Sequence, residues 1–357
     1  MLSSVDQNDT ENLLSNIVSC IQIFSAFDIR HSGYEPLDLP EVVINRYRQF
    51  PEALQRRYQC QKLRDYLYQI YFSHEQAATV GENKDTDAAD EGSALLQNDL
   101  IRGLNRTFYQ QIQNANQGEG YFDSGWEIVE VTATHLIVKK QGLRIQIDPA
   151  LHLAESEISQ HWAEKTGDVA IRLPKNRWEN GFYVAISNAG LVPEASSLAI
   201  YFNVNLNGAI KLLYELTQIL NERKIPFMLK VLYDPNDYER YDPAILCLER
   251  HRYTEVALLL KTIYTKIASE FHPSVPIFTK LVAPGVGLAE TPAAEPTNFG
   301  LHRCQLVAEG LLAAWESGCE TPEQRLYYIH QVFAQNQINL QFPYLNPGAF
   351  DIYLPFD

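Results

Sequence analysis

Apolar residues recur three and four apart in the first part of the chain and every second residue further on. Leu13, Leu14, Ile17, Val18 and Ile21 form one helical face, and Leu54, Tyr58, Leu63, Tyr66, Leu67 and Ile70 form another, so residues 10–72 are predicted helical. Residues 74–94 are small and acidic with almost no large apolar side chain, the pattern of a flexible connector. A third helix is expected over Leu95–Asn114. From about Gly125 the period falls to two. WEIVEVTATHLIVKKQGLRIQID alternates around Gln141-Gly142, which predicts a β-hairpin.

Further strands are expected at 168–173, 181–187, 197–204, 227–233, 244–249 and 277–282, with helices at 206–224, 254–271, 299–315 and 322–336. Asn207 is the expected N-cap of the first of these helices, and Asn298 or Thr297 that of the helix at 299. PGVGLAE (284–290) reads as a tight bend with a flexible rim, and the aromatic, proline-rich end as an extended tail lying on the body. The fold class is α+β: a helical N-terminal region over 1–120, then an antiparallel or mixed sheet flanked by helices over 121–357.

Composition narrows the function more than the fold. With 46% hydrophobic residues the 357-residue chain can bury a sizeable core. A net charge of -15 argues against non-specific nucleic-acid or anionic-membrane binding, but not against a local basic pocket. Five scattered cysteines (Cys20, Cys60, Cys247, Cys304, Cys319), with no CxxC or Cys/His cluster, suggest neither a metal site nor a disulfide framework. The first residues lack a basic region before an apolar run, so no Sec signal peptide is expected; no apolar run approaches membrane-spanning length, and a cytoplasmic protein is expected.

The chemistry-bearing stretch is IPFMLKVLYDPNDYERYDPAILCLERHR, 225–252. Lys230 interrupts an otherwise apolar strand, where an ammonium is costly without a partner or a task. Desolvation favours its neutral form. Lowering a lysine by about three units from its usual value of about 10.4 costs roughly 4 kcal/mol and creates a base competent near neutral pH. Arg240, Arg250, Arg252, Arg303 and Lys280 are candidate phosphate ligands, because guanidinium matches phosphate oxygens with paired hydrogen bonds; the alternative is that the arginines pair with Asp234, Asp237, Asp242 and Glu249. Tyr238 flanks Arg240 and is expected to orient it. Tyr201 and Asn203 share one face of the AIYFNVN strand, and His302 lies at a helix start capped by Asn298 or Thr297, so Tyr201 and His302 are rival acids.

The segments IPFMLKVLYDPNDYERYDPAILCLERHRY, FTKLVAPGVGLAETP and NFGLHRCQLVAEGL resemble the HopA-type type III effector family, over roughly residues 166–315. The resemblance implies a lyase that acts on phosphorylated serine or threonine in a peptide, as in lanthipeptide-type biosynthesis, with a kinase-like partner and no cofactor. It also implies a more distant kinship with phosphothreonine lyases, which use a strand lysine as base, a histidine as acid and arginines for phosphate. On that pattern Lys230 matches the base and Arg240 a phosphate arginine. The His-x-His strand of those lyases is absent, and AIYFNVN offers Tyr201 and Asn203 in its place. The alternative expectation is a non-catalytic module that binds a phosphopeptide or a partner protein.

Overall fold

The computed structural model describes residues 5–26, 28–38, 41–74, 105–132, 134–155, 167–179, 181–193, 197–292 and 298–356. Most of the 74–94 connector, the first turns of the helix expected from Leu95, and Thr297 lie outside them.

Helix α1 (Val5–Cys20) runs directly into a three-stranded antiparallel meander, β1 (Ile21–Ser25), β2 (Asp28–His31) and β3 (Tyr34–Asp38). The all-helical reading of 10–72 therefore fails over 21–38. Ile21 and Ile23 alternate with polar residues there, and the His31 ring Nδ1 accepts the Gly33 N–H to close the second turn. Helices α2 (Glu41–Tyr47) and α3 (Glu52–Leu67) follow, and α3 continues as a widened π turn over Tyr68–Ser73 that stops at His74, φ 54°. Helix α4 (Arg106–Ala115) is capped by Asn105, whose side chain accepts the Phe108 N–H at 3.0 Å.

Strands β4 (Tyr121–Val131), β5 (Leu136–Lys140) and β6 (Leu143–Ile147), a single helical turn α5 (Pro149–His152), and β7 (Asp168–Leu173) build a four-stranded antiparallel sheet in the order β6-β5-β4-β7. Gln141 and Gly142 both take positive φ (49° and 85°), as a two-residue hairpin turn requires, and Lys140 pairs with Leu143 across it. This sheet has its own small core around Trp126, Leu136, Val138 and Ile171.

The larger sheet carries the site. It contains β8 (Asn176–Glu179), β9 (Phe182–Ile186), β10 (Ser197–Phe202), then after helix α6 (Leu206–Glu222) β11 (Phe227–Leu232) and β12 (Ala244–Glu249), and after α7 (Tyr253–Ile267) β13 (Lys280–Ala283) and β14 (Val286–Glu290). Its order is β13-β14-β10-β12-β11-β9-β8, with every neighbouring pair antiparallel. Asn205, not Asn207, caps α6, accepting the Gly208 N–H at 2.9 Å. The glycine stretch 284–290 is no rim: β14 is buried along its whole length between β10 and β13. Gly285 makes the bend with φ 77°, where a Cβ would stand 2.2 Å from the His272 carbonyl oxygen.

Helices α8 (Phe299–Glu316) and α9 (Pro322–Gln335) close the chain, followed by an extended tail to residue 356. The tail lies on the body as expected: the Phe356 N–H bonds to the Val282 carbonyl, and Tyr353 is buried. The architecture is α+β. Leu14, Ile17, Leu63, Phe72, Phe108 and Ile112 belong to the same buried cluster as the seven-stranded sheet, so a boundary near residue 120 does not divide the core. Among the described residues no helix is long and apolar enough to cross a membrane.

Candidate functional site

Side chains of residues paired directly across neighbouring strands point to the same face. Lys230 pairs with Val184 on one side and Ile245 on the other, and Ile245 pairs with Tyr201. Val184 in turn pairs with Arg177. One transverse row therefore reads Arg177, Val184, Lys230, Ile245, Tyr201. Glu179, two residues from Arg177, shares that face.

Five of the six β11 residues are buried, and Lys230 alone is half-buried. Its ammonium forms an ion pair with the Glu179 carboxylate, each side chain retaining about a quarter of its exposure (25% and 28%). Arg177 donates to the other Glu179 oxygen at 2.7 Å and reaches the Met228 sulfur at 3.7 Å. Burial alone would raise the Glu179 carboxyl, but the Lys230 and Arg177 hydrogen bonds and charges outweigh it and hold it below the usual carboxylate range. Cys247 lies beside this cluster, its thiol pushed up by burial. The demand for a partner, read from Lys230 alone, is thus met by a carboxylate from an edge strand.

Tyr201 lies on the lysine's face but two strands away, about 10 Å by strand spacing. It is buried under Phe72 of the π turn, with ring centroids 5.5 Å apart. Burial, then the charges of Cys247 and Asp242, push its phenol well above the ordinary value, so it holds its proton more tightly than a free tyrosine. Asn203 is a backbone pin, its amide donating to the Ser274 carbonyl at 2.9 Å.

Arg240 does come to the Lys230 end of the hairpin, 5.8 Å from the centre of the Phe182 ring, but it is engaged there. Its Nε and Nη2 donate to the two oxygens of Asp242 at 2.8 and 3.0 Å. Asp242 is fully buried and also accepts from the Tyr68 hydroxyl at 3.2 Å. Tyr238 does not orient Arg240: its hydroxyl donates to the Leu232 carbonyl at 2.8 Å and fixes the turn.

The other expected phosphate ligands are not assembled around Lys230. Arg252 follows the far end of β12 and pairs with Glu255 at 2.9 Å. Lys280 stands on the opposite edge strand, four strands or about 19 Å from β11, and pairs with Asp351. Arg303 is fully buried, donating to the carbonyls of Pro343 at 2.7 Å and Leu345 at 2.8 Å. Asn298 caps α8, accepting the Leu301 N–H at 2.8 Å. The hairpin spreads its cations because β12 is extended: Arg240 precedes it and Arg250–Arg252 follow it.

His302 is a neighbour of Arg303, not of Lys230, and its Nδ1 lies 2.7 Å from Arg303 Nη1. Burial, then the adjacent guanidinium, push it down to about 4. It is neutral at pH 7, and its partner is Arg303. Its folded-state value lies below the ordinary 6.5, so the unfolded chain takes up the proton first as pH falls. Stability is then complete above about pH 6.5 and is lost progressively toward pH 4. The loss between pH 7 and pH 5 is expected to be about 2 kcal/mol. Urea denaturation of His302→Gln at both pH values should show most of that difference removed.

Sequence reasoning missed Glu179 and Arg177, and weighed Asp242 only as a carboxylate with which nearby arginines pair. The signal for the first two was local: Arg177 and Glu179 stand two apart in NRWE, the spacing of one strand face. Among the described residues no three of His, Cys, Asp or Glu converge as a metal site.

Residues 173–345 match the family described as the HopA1 effector protein family. Among solved structures, an effector protein from Pseudomonas syringae pv. syringae strain 61 is similar at 15% identity and a TM-score of 0.42, covering 68% of this chain and 80% of that one. An effector protein from Pseudomonas syringae pv. tomato strain DC3000 is similar at 12% identity and a TM-score of 0.40, with the same coverages. No curated protein matches the chain.

Proposed function

We propose that this chain, whose residues 173–345 belong to the HopA1 effector protein family, eliminates phosphate from phosphothreonine or phosphoserine in a peptide at the Lys230 face. The observation that carries the reading is Lys230 itself: a lysine with about a quarter of its side chain exposed in the middle of a buried strand, within one hydrogen-bonded cluster with Glu179 and Arg177. Two cations against one carboxylate leave a net positive site at the surface of an otherwise acidic protein. Arg177, 46% exposed, is the guanidinium that a phosphate can reach beside the lysine.

In the reaction, the Lys230 amine takes the Cα proton. The C–H electrons become the Cα=Cβ bond, and the Cβ–O bond breaks with its electrons leaving on phosphate. Arg177 holds the phosphate during departure. The products are a dehydroamino acid and inorganic phosphate.

The test is incubation with phosphothreonine peptides, read by mass spectrometry and phosphate release. The expected product is one water lighter than the unphosphorylated peptide. Lys230→Met should lower the rate by about 100- to 10,000-fold, the usual worth of a positioned acid or base. An intact peptide retained by the wild-type protein would refute elimination and leave a phosphopeptide-binding module.

A further inference from the structure

Elimination also needs a proton donor for the departing phosphate, and neither rival acid sits beside Lys230. Tyr201 is about 10 Å away by strand spacing and buried beneath Phe72, and His302 is held by Arg303 in α8. The group in hydrogen-bond contact with the Lys230 ammonium is the Glu179 carboxylate. We infer that Glu179 is the general acid of the site, working as one acid–base couple with Lys230. The inference rests on the elimination reading.

Proton balance supports it. Transfer of one proton along the existing hydrogen bond, from Lys230 Nζ to Glu179 Oε2, turns ammonium and carboxylate into amine and carboxylic acid, an uphill step because the same contacts hold Glu179 below the usual carboxylate range. The base and the acid are thereby made in the same step. The amine then takes the Cα proton, the Cα=Cβ bond forms, the Cβ–O bond breaks, and the Glu179 carboxyl gives its proton to the leaving phosphate oxygen. The couple ends as ammonium and carboxylate, as it began, so no further proton source is required.

Position supports it as well. Glu179 is on edge strand β8 and Lys230 on β11, with β9 between them, and both side chains lie on the same face with about a quarter of their surface open. Glu179 also accepts from Arg177, so a phosphate held by Arg177 would lie next to the carboxyl that must protonate it. Phe182 is the strand partner of Glu179, and the Arg240 guanidinium lies 5.8 Å from the centre of its ring.

The test compares a phosphothreonine peptide with its O-sulfothreonine analogue. Sulfate leaves readily without being protonated, whereas phosphate does not. Both peptides are assayed with the wild-type protein and with each variant at one common pH. Glu179→Gln is expected to slow phosphate elimination at least 100-fold and sulfate elimination less than tenfold. Glu179→Asp, which keeps a carboxyl group, should retain more phosphate elimination than Glu179→Gln. Equal losses on the two peptides, or no loss on either, would overturn the role of Glu179 while leaving elimination intact. A wild-type protein that turns over neither peptide would overturn elimination itself and this inference with it.

Discussion

Asp242→Ala is expected to destabilise the protein by about 3–5 kcal/mol, measured as the shift in a urea or guanidinium denaturation curve. The carboxylate is fully buried and accepts from Arg240 Nε, Arg240 Nη2 and the Tyr68 hydroxyl. Its removal leaves the charge of Arg240, 14% exposed, inside the protein without the carboxylate it is forked onto. A buried charge that loses its forked carboxylate costs more than the pair itself contributes, so removing both partners is expected to cost less than removing one. The double variant Arg240→Met/Asp242→Leu should recover part of the loss. The same comparison separates two roles for Arg240. A phosphate clamp would lose activity in that double variant with stability restored. A structural arginine would recover both together.

The triad also explains how the N-terminal helices reach the site. Tyr68 opens the π turn that follows α3, and the same turn places Phe72 against Tyr201 and against Phe299 of α8. The Tyr241 N–H bonds to the Ser73 carbonyl, and Tyr241 stacks on His74 with centroids 4.5 Å apart. The loop between β11 and β12 is thus tied at three points to the end of an N-terminal helix. That connection packs on the sheet face that carries Tyr201 and Lys230 and continues the core across the expected boundary near residue 120.

Local pattern carried much of the fold. The hairpins around Gln141-Gly142 and Lys230, the amphipathic helices α6 and α7, and the docked tail all follow from period and turn residues. What was lost has two physical causes. Strands of four or five residues, such as β1 to β3 and β8, are too short for two-fold alternation to stand out from a helical run. Glycines in β14 read as a bend, whereas Gly287 opposite Tyr201 sits where a Cβ would stand 2.5 Å from the Thr279 hydroxyl oxygen. The site was legible only as far as Lys230 and its need for a partner. The partner, Glu179, lies 51 residues earlier, on a strand paired to β9, whose own register against β11 is a property of the whole sheet. The arginines looked alike in sequence because charge alone does not reveal whether a guanidinium faces a carboxylate, a carbonyl or water.

Arg303 carries the second large effect. Its side chain is fully buried in α8, stacked 4.8 Å from the centre of the Phe299 ring. Its Nε and Nη2 donate to the carbonyls of Pro343 and Leu345. Burial, against the opposing charge of Glu290, pushes its guanidinium down to about 10, so it is still cationic at pH 7. Those two carbonyls fix the start of the tail, and Glu290 fixes the next part by accepting from the Asn346 N–H at 2.9 Å and the Tyr353 hydroxyl at 2.7 Å. Arg303→Leu fills the space without the donors. Two buried carbonyls left without partners cost about 1–3 kcal/mol each, so a loss of about 3–5 kcal/mol is expected. Arg303→Lys keeps the charge but not the planar fork, and should recover only part of it. Amide hydrogen exchange should show the opening concentrated over residues 338–356 before the sheet responds, because the β11–β12 hairpin makes no hydrogen bond to Arg303. Uniform deprotection of tail and sheet together would instead mean that the tail is an integral part of the cooperative core.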